Sequence, residues 1–222
     1  MRMMKLFRFV LCSVVLAAIG SVHADSPRSV VFSNVNIFDG ESDRLIKGGS
    51  VLVEGNLIKS VSSSPINAPG AEVIDGGGRT PMPGLNDAHV HLMLNDAPHV
   101  SIYEKPRAFV GAQAVKISFG TDLFGPLEKQ ALQPLEFRAR SRYFSNVEIL
   151  RQATSLNAQL FELSGLRHPY REGAIGVISE GAYADLILVD GNPLEDIELM
   201  VDPDANFRLI MKDGVIYKNT LN

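Results

Sequence analysis

Pro83-Gly84-Leu85-Asn86-Asp87-Ala88-His89-Val90-His91-Leu92 is the stretch on which the reading of this chain turns. In a strand, residues two apart point the same way, so His89 and His91 project from one face. Two imidazoles on one face at the end of a strand can hold one divalent cation, and the Pro83-Gly84 break lets the chain enter a strand afresh. Two ordinary half-buried histidines fit the same spacing. Downstream, Val115-Lys116-Ile117-Ser118 leads into Phe119-Gly120-Thr121-Asp122. An Asp just past a strand and close to a glycine stands where a ligand or general base stands at the C-terminal edge of a parallel sheet. It is also a common turn former or helix N-cap.

Working outward, both flanks read as β-rich. Val30-Val31-Phe32, Val35-Asn36-Ile37-Phe38 and Ser50-Val51-Leu52-Val53-Glu54 have strand character, and Gly55-Asn56 supplies a tight turn into Leu57–Val61. Ala71–Asp75 adds a strand before Gly76-Gly77-Gly78. On the far side, Gly176-Val177-Ile178 and Ala184–Val189 are expected strands, and Phe207–Lys218 a hairpin turned at Asp213-Gly214. Between the flanks, Ser145 and Glu148 form a capping box. Ile149, Ala153, Leu156, Leu160 and Leu163 then recur at helical spacing, with Gly165 as the stop.

Met1–Ala24 has the form of a cleavable secretory signal: Arg2, Lys5 and Arg8, an apolar run from Phe9 to Ile19, and a small residue at Ala24. That run is shorter than the ~20 residues needed to span a bilayer as a helix. The expected location is therefore periplasmic or secreted. Cys12, the only cysteine, lies in this leader, so any metal on the mature chain must sit on imidazole and carboxylate. Loss of the leader's three cations moves the formal charge from −4 to −7, which argues against nucleic acid and anionic membrane as partners. A small-molecule substrate is the expected partner.

The stretch Pro83–His91 resembles the first-strand signature of the amidohydrolase superfamily, with Asn86 where that family usually has an apolar residue. Phe119-Gly120-Thr121-Asp122 is similar to its last barrel strand, and Thr154-Ser155-Leu156-Asn157-Ala158 to the helix after that strand. Glu172–Ile178 and Gly181–Pro193 resemble the tail that returns to its β-sandwich, with the imidazolonepropionase-like and Xaa-Pro-dipeptidase-like members as the nearest branch. The resemblance implies an α/β fold: a (β/α)8 metallo-dependent hydrolase barrel, a TIM barrel, beside a β-sandwich built from both chain ends. It implies metal-assisted hydrolysis of C–N bonds in peptide or amide-like small substrates. His89, His91 and Asp122 carry over as ligands of one divalent ion, with zinc first on ligand type, and Asp122 also as general base.

Length limits that expectation. Only 30 residues separate His91 from Asp122, whereas one βαβ unit takes ~30 and a whole barrel about 250. The expected organisation is a signal peptide at 1–24, a composite sandwich from 25–80 and 172–222, and a truncated barrel remnant at 81–171. A remnant that cannot close leaves sheet edges open, which would favour self-association. Three functions fit: an impaired metal-dependent hydrolase, a catalytically silent deleted amidohydrolase, or a β-sandwich binding module.

Overall fold

The computed structural model describes residues 28–88, 119–121 and 127–221. His89, His91, His99, Lys116, Asp122 and the leader lie outside the described residues. Among the described residues, eight strands form two four-stranded sheets. The first, ordered β3-β2-β1-β4, contains β1 (Ser29–Ile37), β2 (Ile46–Glu54), β3 (Leu57–Ser62) and β4 (Glu72–Asp75). The second, ordered β5-β6-β7-β8, contains β5 (Thr80–Pro83), β6 (Leu186–Val189), β7 (Phe207–Lys212) and β8 (Val215–Asn219). β1 and β4 pair in parallel; the other pairings are antiparallel.

Val30-Val31-Phe32 and Val35-Asn36-Ile37 belong to one strand. Asn34 takes φ +52° and the β1–β2 register shifts between Phe32 and Val35, so a bulge bends β1 without ending it. Beyond the bulge the chain turns toward the second sheet: the N–H groups of Asn36 and Phe38 donate to the carbonyls of Arg79 and Pro81, at 2.9 and 3.0 Å. Those acceptors explain how β5 tolerates Pro81 and Pro83. It is an edge strand paired with β6, and on its other side the chain at Asn36 and Phe38 uses only carbonyls. On the opposite side, Ile58 and Ala184 donate to the carbonyls of Ala182 and Asn56, both at 2.8 Å, and tie β3 to the approach to β6.

Val30, Phe32, Val51, Val53 and Ile58 of the first sheet share a core with Leu186, Leu188, Leu209 and Met211 of the second. The alternate residues of the second sheet, Ile187, Val189 and Phe207, enter another core with Phe38, Phe137, Ile149 and Leu150. β6 is thus buried on both faces, which is why Leu186-Ile187-Leu188-Val189 carries no polar residue.

Among the described residues the helical layer includes α1 (Leu127–Gln130) and α2 (Leu135–Arg140). The main helix, α3, has three parts: Asn146–Arg151 is α-helical, Gln152–Leu156 is a π turn, and Asn157–Glu162 is α-helical again. The capping box is present, with Ser145 N–H donating to Glu148 Oε2 at 2.8 Å and Glu148 N–H to Ser145 Oγ at 3.4 Å. The apolar stripe is corrected at Leu156, within the π turn, and at Leu163, past the end of the helix. Ile149, Ala153 and Leu160 are buried, but Leu156 is half-buried and Leu163 is 75% exposed. A π turn adds a residue to the turn and rotates the remainder of the helix by about 100°.

Gly176-Val177-Ile178 is not a strand. Gly176 sits at φ +73°, with its α-carbon so close to α3 that a Cβ would lie 2.6 Å from the Thr154 carbonyl oxygen. A 3-10 turn (Ile197–Met200) and α4 (Pro203–Asn206) complete the chain before β7. Among the described residues, no helix is long and apolar enough to cross a membrane.

Candidate active site

The described part of the site lies where 84–88, 119–121 and α3 meet. Ala88 N–H donates to the Phe119 carbonyl at 2.9 Å, and the Thr121 hydroxyl donates to Asp87 Oδ2 at 2.6 Å, with Thr121 N–H on the same oxygen at 3.3 Å. The two segments that end immediately before His89 and Asp122 are therefore joined side by side, although 30 residues lie between the two segments.

Helix α3 makes the join specific. Asn157 is fully buried, and its amide reaches both segments: Nδ2 donates to the carbonyls of Asn86 (2.5 Å) and Phe119 (2.7 Å), while Oδ1 accepts from Phe119 N–H at 3.0 Å. The π turn supplies the rest. Asn157 N–H bonds the Thr154 carbonyl instead of its α-helical partner at Ala153, whose carbonyl takes Asn86 N–H at 2.8 Å. Asn86 Nδ2 also approaches the Thr154 carbonyl at 3.4 Å. Ser155 Oγ, buried, donates to the Gly40 carbonyl at 2.6 Å and anchors the same turn to the β1–β2 loop.

An apolar cavity of about 290 Å³ opens beside the join, lined by Leu85, Asp87, Phe119, Thr121, Phe137 and Met200 among others. The Phe119 ring packs at 4.6 Å from that of Phe137, under the Arg140 guanidinium at 5.0 Å, and Arg140 donates to buried Gln152 of α3 at 2.7 Å. Arg138 grips both oxygens of Glu198, staples α2 to the 3-10 turn and holds the Glu198 carboxyl below its ordinary range. At the start of α3, hydrogen bonds from the Ser145 side chain and backbone lower the Glu148 carboxyl in the same way.

No group of three or more His, Cys, Asp or Glu able to hold a metal occurs among the described residues. His168, the only histidine among them, lies just after the 3-10 turn Gly165–Arg167 with its ring 5.6 Å from Tyr170. The structure thus brings together the approaches to the expected ligands, while the His168 ring packs beside Tyr170. The residue that organises the join, Asn157, lies in a segment singled out only as resembling a helix. A polar residue between two apolar stretches of that helix was the available signal.

Comparison with solved structures places this architecture. An amidohydrolase crystal structure aligns with TM-score 0.68 at 16% identity, covering 87% of this chain and 100% of that one. A prolidase crystallised with N-methylphosphonate-L-proline aligns with TM-score 0.67 at 17% identity, covering 86% and 100%. In sequence, a dihydroorotase of Wolbachia sp. subsp. Drosophila simulans (strain wRi) is 29% identical over 155 residues, 68% of this chain and 34% of the relative. A 5-methylthioadenosine/S-adenosylhomocysteine deaminase of Caldanaerobacter subterraneus subsp. tengcongensis (strain DSM 15242 / JCM 11007 / NBRC 100824 / MB4) is 36% identical over 67 residues, 30% of this chain and 16% of the relative. The chain shares its fold with these amidohydrolase structures and resembles parts of both sequence relatives. No protein-family profile matches it. Against these amidohydrolase-like relatives in sequence it is short, spanning about a third of the dihydroorotase's length.

Proposed function

We propose that this chain is a metal-dependent hydrolase of C–N bonds in small peptide- or amide-like substrates, with a site reduced from that of its longer relatives. The observation that carries the reading is the Ala88–Phe119 hydrogen bond, reinforced by Thr121 on Asp87. It joins, backbone to backbone, the two segments that lead into His-x-His and into Asp122. His89, His91 and Asp122 would hold one divalent ion; two imidazoles and a carboxylate suit zinc and leave positions open for water. A bound divalent cation polarises an amide carbonyl and acidifies water. Asp122 would take the proton from the attacking water, and the apolar walls of Phe119, Phe137 and Met200 would exclude bulk solvent beside it.

In the same reading, 84–88 and 119–121 are neighbouring strands of a truncated barrel remnant at 81–171. The two sheets are the composite sandwich contributed by 25–80 and 172–222. Their shared core supports this, because it needs residues from both chain ends. Met1–Ala24 would direct export. The net negative charge favours a small-molecule partner over nucleic acid or membrane, and open sheet edges would promote self-association.

The test is hydrolysis of a panel of dipeptides and N-acyl amino acids by the purified full chain after metal-replete growth. Turnover that His89→Ala abolishes supports the proposal; no turnover above the His89→Ala level overturns it in favour of a second reading. That second reading, a catalytically silent homologue, is favoured by the 30-residue separation between His91 and Asp122, which leaves room for about one βαβ unit.

A further inference from the structure

We infer that Asn157 is a positioning residue, whose buried amide sets the register of 86–88 against 119–121. Three observations converge. First, at Asn86 and Phe119 the two segments are joined through α3. Phe119 N–H, which in an uninterrupted ladder would donate to a neighbouring strand, donates to Asn157 Oδ1, and the Asn86 carbonyl accepts from Asn157 Nδ2. One amide is inserted between the segments as a two-sided template, with both its donors and its acceptor on backbone groups. A shift of either segment by one residue would break these bonds together.

Second, the π turn is what lets this amide arrive where it does. By moving the Asn157 N–H off the Ala153 carbonyl, it frees that carbonyl for Asn86 N–H. Asn86 is thereby held through its N–H, its carbonyl and its side chain, all by one turn of α3. This gives Asn86, which departs from the apolar residue expected by resemblance, a role of its own: its side chain adds a bond to the Thr154 carbonyl that an apolar residue would lack. Third, Asn157 has no exposed surface, so no water competes for these bonds, and Ser155 of the same turn is locked to Gly40. The template is fixed from behind.

Rotation or loss of the Asn157 amide would unfix the spacing of the segments that lead into His89 and Asp122. That consequence rests on the metal-site reading; the register itself does not.

The experiment uses the full chain and compares it with Asn157→Leu, which keeps the side-chain volume and removes the template. A control, Leu209→Ala, weakens the shared sheet core at a fully buried residue of β7, away from the join. Amide hydrogen exchange without metal is the first readout. In Asn157→Leu the Phe119 amide, which loses its acceptor, and the Ala88 amide, whose acceptor at Phe119 is no longer held in register, both exchange at least about tenfold faster, while Ile187 in β6 stays protected. In Leu209→Ala the order reverses. Unchanged Ala88 and Phe119 exchange in Asn157→Leu, or equal acceleration in the control, overturns the inference.

Cobalt(II) titration is the second readout: affinity falls at least about tenfold in Asn157→Leu and stays within threefold in Leu209→Ala. If the parent chain takes up no cobalt, the metal-site reading fails and exchange alone decides the register. If Asn157→Leu does not fold, Asn157→Ala, which admits water in place of the amide, is read by the same two criteria.

Discussion

The hairpin turns of the two sheets press against each other, and Gly214 is the contact. It occupies φ +72° in the β7–β8 turn, and a Cβ there would stand 1.9 Å from the Gly55 carbonyl oxygen and 3.1 Å from the Asn56 α-carbon, both in the β2–β3 turn. Gly48, at φ +62°, has nothing within 4 Å of the same ideal position. Alanine at Gly48 therefore meets only the left-handed backbone cost, about 1 kcal/mol. Alanine at Gly214 meets that cost and also an overlap with backbone that cannot rotate away. Relief requires the turns to separate by more than an ångström, and overpacking of this kind adds roughly 1–3 kcal/mol. The expected losses are about 1 kcal/mol for Gly48→Ala and about 2–4 kcal/mol for Gly214→Ala. Urea unfolding followed by far-UV circular dichroism measures both, with an unchanged m-value as the check that the unfolded state is comparable. Equal losses at the two glycines would refute the claim that the sheets are locked together through their turns.

Single contacts set the other expected outcomes. Ser155→Ala should lose about 1–3 kcal/mol in the same assay, because the Gly40 carbonyl loses a buried partner. Ser164→Ala, at an exposed hydroxyl bonded to its own helix, should stay within about 0.5 kcal/mol. Glu148 has a folded pKa below its ordinary 4.5, so its contribution is present above that value and is lost as pH falls through the depressed pKa. Glu148→Gln should flatten that part of the acid limb, measured by thermal unfolding between pH 5 and pH 3; an unchanged acid limb would remove Glu148 from the account.

The hairpins were legible because their turns demand particular residues. Asp213 and Gly214 both take positive φ, and Gly55 does so before Asn56, which few other residue pairs tolerate. The capping box was legible because Ser145 and Glu148 act within three residues of each other. β5 was not legible, since Pro81 and Pro83 argue against a strand unless the chain on its open side requires only carbonyls, and that chain, at Asn36 and Phe38, lies some forty residues away. The π turn was equally hidden. No propensity distinguishes Gln152–Leu156 from an α-helical run; the extra residue is held by its contacts with Asn86 and Gly40, both remote in sequence. For the same reason Asn157 read as one residue of a helix, when its amide joins two segments 33 residues apart. The candidate ligands His89, His91 and Asp122 rest on pattern and resemblance and lie outside the described residues; the structure shows the backbone join beside them.

Metal stoichiometry tests the central claim most directly. Zinc bound to the purified full chain, counted by inductively coupled plasma mass spectrometry after equilibration and desalting, should reach one ion per chain. Both His89→Ala and Asp122→Ala should fall well below that level while keeping the parent's circular dichroism spectrum. Zinc at background in the parent chain, or one ion still bound in both variants, would contradict the account.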